Sequence, residues 1–161
     1  MKIAVYPGTF DPITLGHVDV IRRAKSITDT LHVSVARNSA KKTMFSLEER
    51  LEMLRTVVGD TKGIIVDSFE GLTVNYCLSL NACAIVRGLR AISDFEFEFQ
   101  MALTNRKLDE RIETIFLMPS EQYTYLSSAM IKEIARLDGD ISPFVPKECV
   151  ERIKKRCRIG G

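Results

Sequence analysis

The chain has 161 residues, 45% of them hydrophobic, with 23 Lys and Arg against 21 Asp and Glu for a formal net charge of +2. That length suits one domain spanning 1–161, able to bury roughly two thirds of its unfolded surface without staples, and the near-balance of charge disfavours a nucleic-acid or membrane footprint, so anion recognition is local. No apolar run approaches the roughly 18 residues of a membrane span, and the N-terminus passes straight into a strand without a signal-type segment, which points to a cytoplasmic location.

In chain order, the first predicted strand, Ile3–Tyr6, leads into Gly8-Thr9-Phe10-Asp11-Pro12-Ile13-Thr14-Leu15-Gly16-His17 and then an amphipathic helix. Such a strand, loop and helix start offers an anion unpaired N–H groups and a dipole end, to which Thr9 adds a hydroxyl and His17 an imidazole. A tight turn with a solvent-facing His is the plainer alternative. A second strand, Leu31–Ala36, carries His32 in a structural position and runs into Arg37-Asn38-Ser39-Ala40-Lys41-Lys42. A helix follows from about Ser46, where Ser46 and Glu49 form a capping-box pattern and Leu47, Leu51, Leu54 and Val58 make one stripe. The third strand, Ile64–Val66, precedes Phe69-Glu70-Gly71-Leu72-Thr73, and the fourth, Ala82–Val86, precedes Arg87-Gly88-Leu89-Arg90. Ser93 with Glu96 marks a second capping box, opening a helix whose Phe95, Phe99, Ala102 and Leu103 would face the core. After the fifth strand, Thr114–Met118, comes Pro119 to Ser128; a helix starts near Ser127 or Ser128 with Ile131, Ile134 and Ala135 inward. The last helix, about 147–157, follows Pro146 and buries Val150 and Ile153; its basic run Arg152 to Arg158 reads as a solvated face rather than a binding arm. Cys77, Cys83, Cys149 and Cys157 have neither C-x-x-C nor metal-ligand spacing and read as reduced thiols. Five strands alternating with helices predict an α/β fold, a single-domain doubly wound five-stranded parallel sheet with helices on both faces.

Ligands of such sheets bind outside the carboxyl ends of the strands, where these five loops bring a His, several Lys and Arg, hydroxyls and an aromatic pair to one rim. The natural guest is a polyphosphate, most simply a nucleoside triphosphate. The chain has no G-x-x-x-x-G-K-[ST], no G-x-G-x-x-G, no kinase signature and no Ser–His–Asp or Cys–His arrangement, so transfer without a protein nucleophile fits best. A phosphate monoester is already a competent nucleophile; the protein must bring two repelling anions into line, and positive charge is its requirement.

Gly8-Thr9-Phe10-Asp11-Pro12 with Thr14-Leu15-Gly16-His17 resembles the T/H-x-G-H signature of the nucleotidylyltransferase superfamily, whose fold is Rossmann-like. Arg87-Gly88-Leu89-Arg90-Ala91, Asp94-Phe95-Glu96-Phe97-Glu98 and Tyr123-Thr124-Tyr125-Leu126-Ser127-Ser128 with Lys132-Glu133 extend the resemblance to the bacterial phosphopantetheine adenylyltransferase family, over residues 5 to about 146. That family transfers the adenylyl group of ATP to 4′-phosphopantetheine, giving dephospho-coenzyme A and pyrophosphate. The resemblance implies catalytic roles for His17, Lys41, Thr9 and Arg90. It implies ATP contacts at Thr9, Phe10, His17, Gly88, Leu89, Arg90, Glu98 and the segment Tyr123, Thr124, Tyr125, Leu126, Ser127, Ser128 and Ala129. Phosphopantetheine would meet Thr9, Lys41, Thr73, Arg87, Met101 and Asn105. It also implies a homohexamer of two stacked trimers and feedback by coenzyme A. Ala129 stands where a third serine is frequent, and Phe97 where Tyr is frequent. No D-x-D pair appears in these loops, so Mg²⁺ is expected to arrive with ATP and be held mainly by phosphate oxygens and water. Residue by residue, Arg87 and Arg90 have Glu96 or Glu98 as alternative partners, and Tyr123 and Tyr125 have the core. Other readings are an enzyme acting on nicotinamide mononucleotide or cytidylylating a phosphorylated alcohol, and a non-catalytic adenine-nucleotide sensor.

Overall fold

The computed structural model describes residues 2–37, 42–90 and 92–159. The chain runs through β1 (Ile3–Gly8), α1 (Leu15–Ser26), β2 (Thr30–Arg37), α2 (Leu47–Val58), β3 (Ile64–Glu70) and α3 (Thr73–Ser79). It continues through β4 (Ala84–Gly88), α4 (Ile92–Leu108), β5 (Glu113–Leu117), a short 3-10 turn at Glu121–Tyr123, α5 (Ser128–Arg136) and α6 (Lys147–Ile159). All strand pairs are parallel and the order is β3-β2-β1-β4-β5, the doubly wound sheet anticipated from the periodicity. The order reverses at β1, whose neighbours are β2 and β4, so the crevice expected at a switch point opens at the carboxyl ends of β1 and β4.

Period-two alternation divides the core. Ala4, Tyr6, Leu31, Val33, Val35, Ala84 and Val86 pack with α1, α2, α5 and α6, while Val5 and Ile85 pack with Val74 and Cys77 of α3 on the opposite face. Pairing carries β1 and β4 past the limits of their apolar runs, Gly8 opposite Val35 and Arg87 opposite Phe116. Arg87 therefore projects from a strand end rather than from a loop, which fixes its backbone.

One expectation is corrected. In α4 the covered stripe is Glu98, Ala102 and Asn105, and Phe95, Phe99 and Leu103 are 45%, 46% and 50% exposed instead of facing the core. The physical reason is an ion pair: Arg87, at the end of β4, takes Glu98 and so sets the helix rotation, leaving the apolar stripe turned aside. Phe95 still touches Phe99 and Phe116 of β5, with ring centroids 5.6 and 6.4 Å away. The side chain of Ser93, the expected cap, lies outside the described residues. The basic face of α6 is exposed, as expected, and carries surface ion pairs: Arg152 meets Glu52 at 2.9 Å, Arg158 meets Asp138 at 2.9 Å, and Arg156 binds Glu49 and lies over the Phe45 ring.

His32 is structural, as read: its Nδ1 lies 2.7 Å from Asp67, which also accepts from Ser34 and Tyr76. All four cysteines are free thiols. No described helix is long and apolar enough to cross a membrane.

Candidate active site

The loop leaving β1 is shaped by one residue in the left-handed region, Phe10, at φ 48°. Its ring folds back against Gly8, where a Cβ would meet ring atoms at 2.7 and 2.8 Å, so only glycine fits there. The same ring stands edge-on to Tyr6 and to His17, with centroids 5.5 and 5.1 Å away. Burial holds the Tyr6 phenol protonated well above its ordinary range. Two long-range contacts pin the loop: Arg50 of α2 donates to the Thr9 carbonyl at 2.9 Å, and the Asp11 carboxylate accepts the Met44 and Phe45 N–H groups, each at 2.9 Å.

The start of α1 is a capping box with an unusual partner. Thr14 Oγ1 accepts the His17 N–H at 3.2 Å, and His17 Nδ1 accepts the Thr14 N–H at 3.0 Å. Since a backbone N–H only donates, Nδ1 is the acceptor and the ring proton sits on Nε2. Burial, reinforced by nearby Arg90, lowers the His17 pKa to about 4, so at neutral pH the imidazole is an uncharged donor through Nε2. The Leu15 N–H is taken by the Phe144 carbonyl at 2.9 Å, which leaves that of Gly16 as a first-turn donor.

On the other side of the switch point, Arg87 gives Nε to Glu98 at 2.7 Å, Nη2 to the other Glu98 oxygen, and Nη1 to the Pro7 carbonyl at 3.1 Å. A guanidinium has five N–H groups, so two remain for an anion. Burial works against the charged guanidinium, but its bond to Glu98 more than offsets this and raises the Arg87 pKa. Arg90 donates to the Leu126 carbonyl at 2.9 Å and so secures the turn into α5. There Ser127 caps the helix by accepting the Met130 N–H at 3.1 Å, and Ser128 Oγ donates to the Pro12 carbonyl at 2.8 Å. Both hydroxyls thus serve the protein; what α5 offers a ligand is the first-turn N–H groups of Ser128 and Ala129.

These parts surround a cavity of about 640 Å³. Of the residues singled out in the sequence, Thr9, Phe10, His17, Arg87, Gly88, Arg90, Glu98, Leu126, Ser127, Ser128 and Ala129 line it. Leu89, Thr73, Met101, Asn105, Tyr123, Thr124 and Tyr125 are not among its walls. Tyr125 is 61% exposed and edge-on to Phe144, while the 3-10 turn brings the Tyr123 carbonyl toward Gly16. Lys41 lies outside the described residues. Sequence reading assigned no role to Asp11, Thr43, Lys132 or Tyr6, which also line the cavity, nor to Arg50 behind it. Lys132 stands four residues after Ser128, one helical turn on, which was the available signal. Among the described residues no group of three or more His, Cys, Asp or Glu side chains is placed to hold a metal ion, and the buried Asp11 has both oxygens occupied.

A neutral imidazole, an anchored guanidinium and two helix starts around one polar cavity suit the meeting of two phosphates. The cytidylyltransferase-like family matches residues 5–134. A phosphopantetheine adenylyltransferase of Moorella thermoacetica is 57% identical over 95% of this chain and 95% of its own. Those of Carboxydothermus hydrogenoformans (53%; 100% of this chain, 99% of the relative) and Caldanaerobacter subterraneus subsp. tengcongensis (51%; 97% and 98%) align almost end to end. The chain belongs to the phosphopantetheine adenylyltransferase family. It is a nucleotidyltransferase, and the T/H-x-G-H resemblance drawn from residues 8–17 is that of its family. A Vibrio parahaemolyticus protein provisionally named nicotinate-nucleotide adenylyltransferase, 19% identical, superposes with a TM-score of 0.71 over 95% of this chain and 91% of its own, a likeness of fold.

Proposed function

We propose that this chain transfers the adenylyl group of ATP to 4′-phosphopantetheine at the cavity between β1 and β4, releasing pyrophosphate and forming dephospho-coenzyme A. The observation that carries this reading is that His17, the start of α5 and Arg87 share one cavity, with Thr9 on its wall. One anion would then be held on each side and brought into line. An oxygen of the acceptor phosphate attacks the α-phosphorus of ATP; the new P–O bond forms as the bond to the β-phosphate oxygen breaks, and that electron pair leaves with pyrophosphate. His17 donates its Nε2 proton in a hydrogen bond to the α-phosphoryl oxygens as their charge grows. The N–H groups of Gly16, Ser128 and Ala129 receive the triphosphate, and Arg90 favours the departing pyrophosphate. The two remaining N–H groups of Arg87, with Lys41 and Thr9, hold the acceptor phosphate. Glu98 serves this grip by orienting Arg87 and, by resemblance, meets ATP. Phe10, Gly88, Leu89, Leu126, Ser127 and the Tyr123, Thr124 and Tyr125 turn frame the nucleotide, and Thr73, Met101 and Asn105 border the pantetheine arm.

Mg²⁺ enters as part of the substrate, MgATP. Coenzyme A, sharing the acceptor's arm, would compete for the same cavity as a feedback ligand. The cytoplasm is the proposed location. A homohexamer is the proposed assembly, and the exposed stripe of Phe95, Phe99 and Leu103 supports self-association.

The test is pyrophosphate release from MgATP with 4′-phosphopantetheine, beside nicotinamide mononucleotide, glycerol 3-phosphate and a no-acceptor control, for wild type and His17→Ala. Release confined to phosphopantetheine and lost in the variant is expected. Release with another acceptor replaces the substrate, and tight ATP binding without release points to a nucleotide sensor.

A further inference from the structure

We propose that Asp11 is a positioning residue that ties two parts of the cavity wall together, the backbone after Lys42 and Thr43 and the ammonium of Lys132. For its kinetic readout the proposal rests on the adenylyl-transfer reading; its substance is geometric. Asp11 is 4% exposed and lines the cavity. A carboxylate there is the wrong sign for a wall that receives polyphosphate, unless its lone pairs face elsewhere and its charge is met. Both conditions hold. Oδ1 accepts the Phe45 N–H at 2.9 Å; Oδ2 accepts the Met44 N–H at 2.9 Å and the Lys132 ammonium at 2.9 Å.

The two amides lie immediately after Lys42 and Thr43, which line the cavity, so Asp11 fixes the backbone from which those side chains reach. Lys132 comes from α5, one turn beyond Ser128, and its side chain is 22% exposed. An ammonium has three donors, so with one given to Asp11 two remain on the cavity side of the pair. One carboxylate therefore registers the β1 loop, the segment before α2 and α5 against each other. Asparagine cannot replace it: a single amide oxygen has no charge for Lys132, and the adjacent NH₂ repels the second backbone donor.

The experiment compares wild type, Asp11→Asn, Lys132→Met and the double variant in pyrophosphate release at saturating substrates. Thermal melting and amide hydrogen exchange at Met44 and Phe45 are followed in parallel. Asp11→Asn is expected to lower kcat by about 10²-fold, the scale of a small misplacement of reacting groups. In the Lys132→Met background the same change costs clearly less, because part of its effect runs through Lys132. The Met44 and Phe45 amides exchange faster in Asp11→Asn and stay protected in Lys132→Met, which keeps both backbone bonds. Unchanged kcat in Asp11→Asn, multiplicative losses in the double variant, or amides that stay protected would overturn the proposal. Should Asp11→Asn not fold, Lys132→Met decides alone, an unaltered kcat counting against the pairing. Absence of release by wild type would sink the adenylyl-transfer reading instead, and the exchange pattern would still judge Asp11.

Discussion

At His17 the backbone decides where the proton lies. Because Nδ1 is tied to the Thr14 N–H, protonation would set two donors against each other, and burial opposes the charge as well. His17→Ala should therefore lower kcat by about two to three powers of ten, as loss of one transition-state donor does, with a smaller change in the ATP KM. Equal losses in both would count against the assignment. The same geometry predicts a pH effect on stability. The folded pKa, about 4, lies below the unfolded value of 6.5, so the unfolded chain binds more protons between them. The contribution is whole above pH 6.5 and is lost as pH falls toward 4. Between pH 7 and 4.5 it should amount to on the order of 2 kcal/mol, allowing for partial exposure. Urea unfolding of wild type and His17→Gln at both pH values measures it, since carboxylate effects common to both cancel; equal pH slopes would remove His17 as the source.

At the scale of elements, the two serine caps separate stability from function. Ser46 and Ser127 each accept an N–H of the following helix, at 3.2 and 3.1 Å, but only the helix start at Ser127 borders the cavity. Ser46→Ala and Ser127→Ala should each cost about 1 kcal/mol in urea unfolding, and Ser127→Ala alone should raise the ATP KM, several-fold. A matching rise in Ser46→Ala would mean that the effect is global loosening. These elements also mark what the sequence discloses. Ser46-Leu47-Glu48-Glu49 follows the usual capping-box pattern and was legible, whereas Thr14-Leu15-Gly16-His17 closes its box with an imidazole, which that pattern does not include. The strand ends carrying Gly8 and Arg87 ran past their apolar runs because backbone pairing, not hydrophobicity, extends them. Asp11 and Arg50 were illegible as props for a simpler reason: their partners stand 34 and 41 residues away, beyond any local periodicity.

Across the whole molecule, α4 is where local pattern and tertiary structure part. Its 3.6-residue periodicity was right, yet two stripes satisfy it. The polar one is turned inward by the Arg87–Glu98 pair, and the aromatic one is left half exposed. A partly buried ion pair is a costly way to orient a helix unless the charge is wanted where it stands, at the cavity. The displaced apolar stripe then calls for a partner surface, and a second copy of the chain is the proposed one. Replacing Phe99 by Glu puts a charge on that stripe without touching Arg87 or Glu98. Light scattering should find wild type at a multiple of 18.2 kDa and Phe99→Glu shifted toward 18.2 kDa. Retained folding by circular dichroism would show that the loss is one of assembly. An unaltered mass in Phe99→Glu would mean that this stripe is not the contact, whereas an 18.2 kDa wild type would remove the proposed oligomer itself.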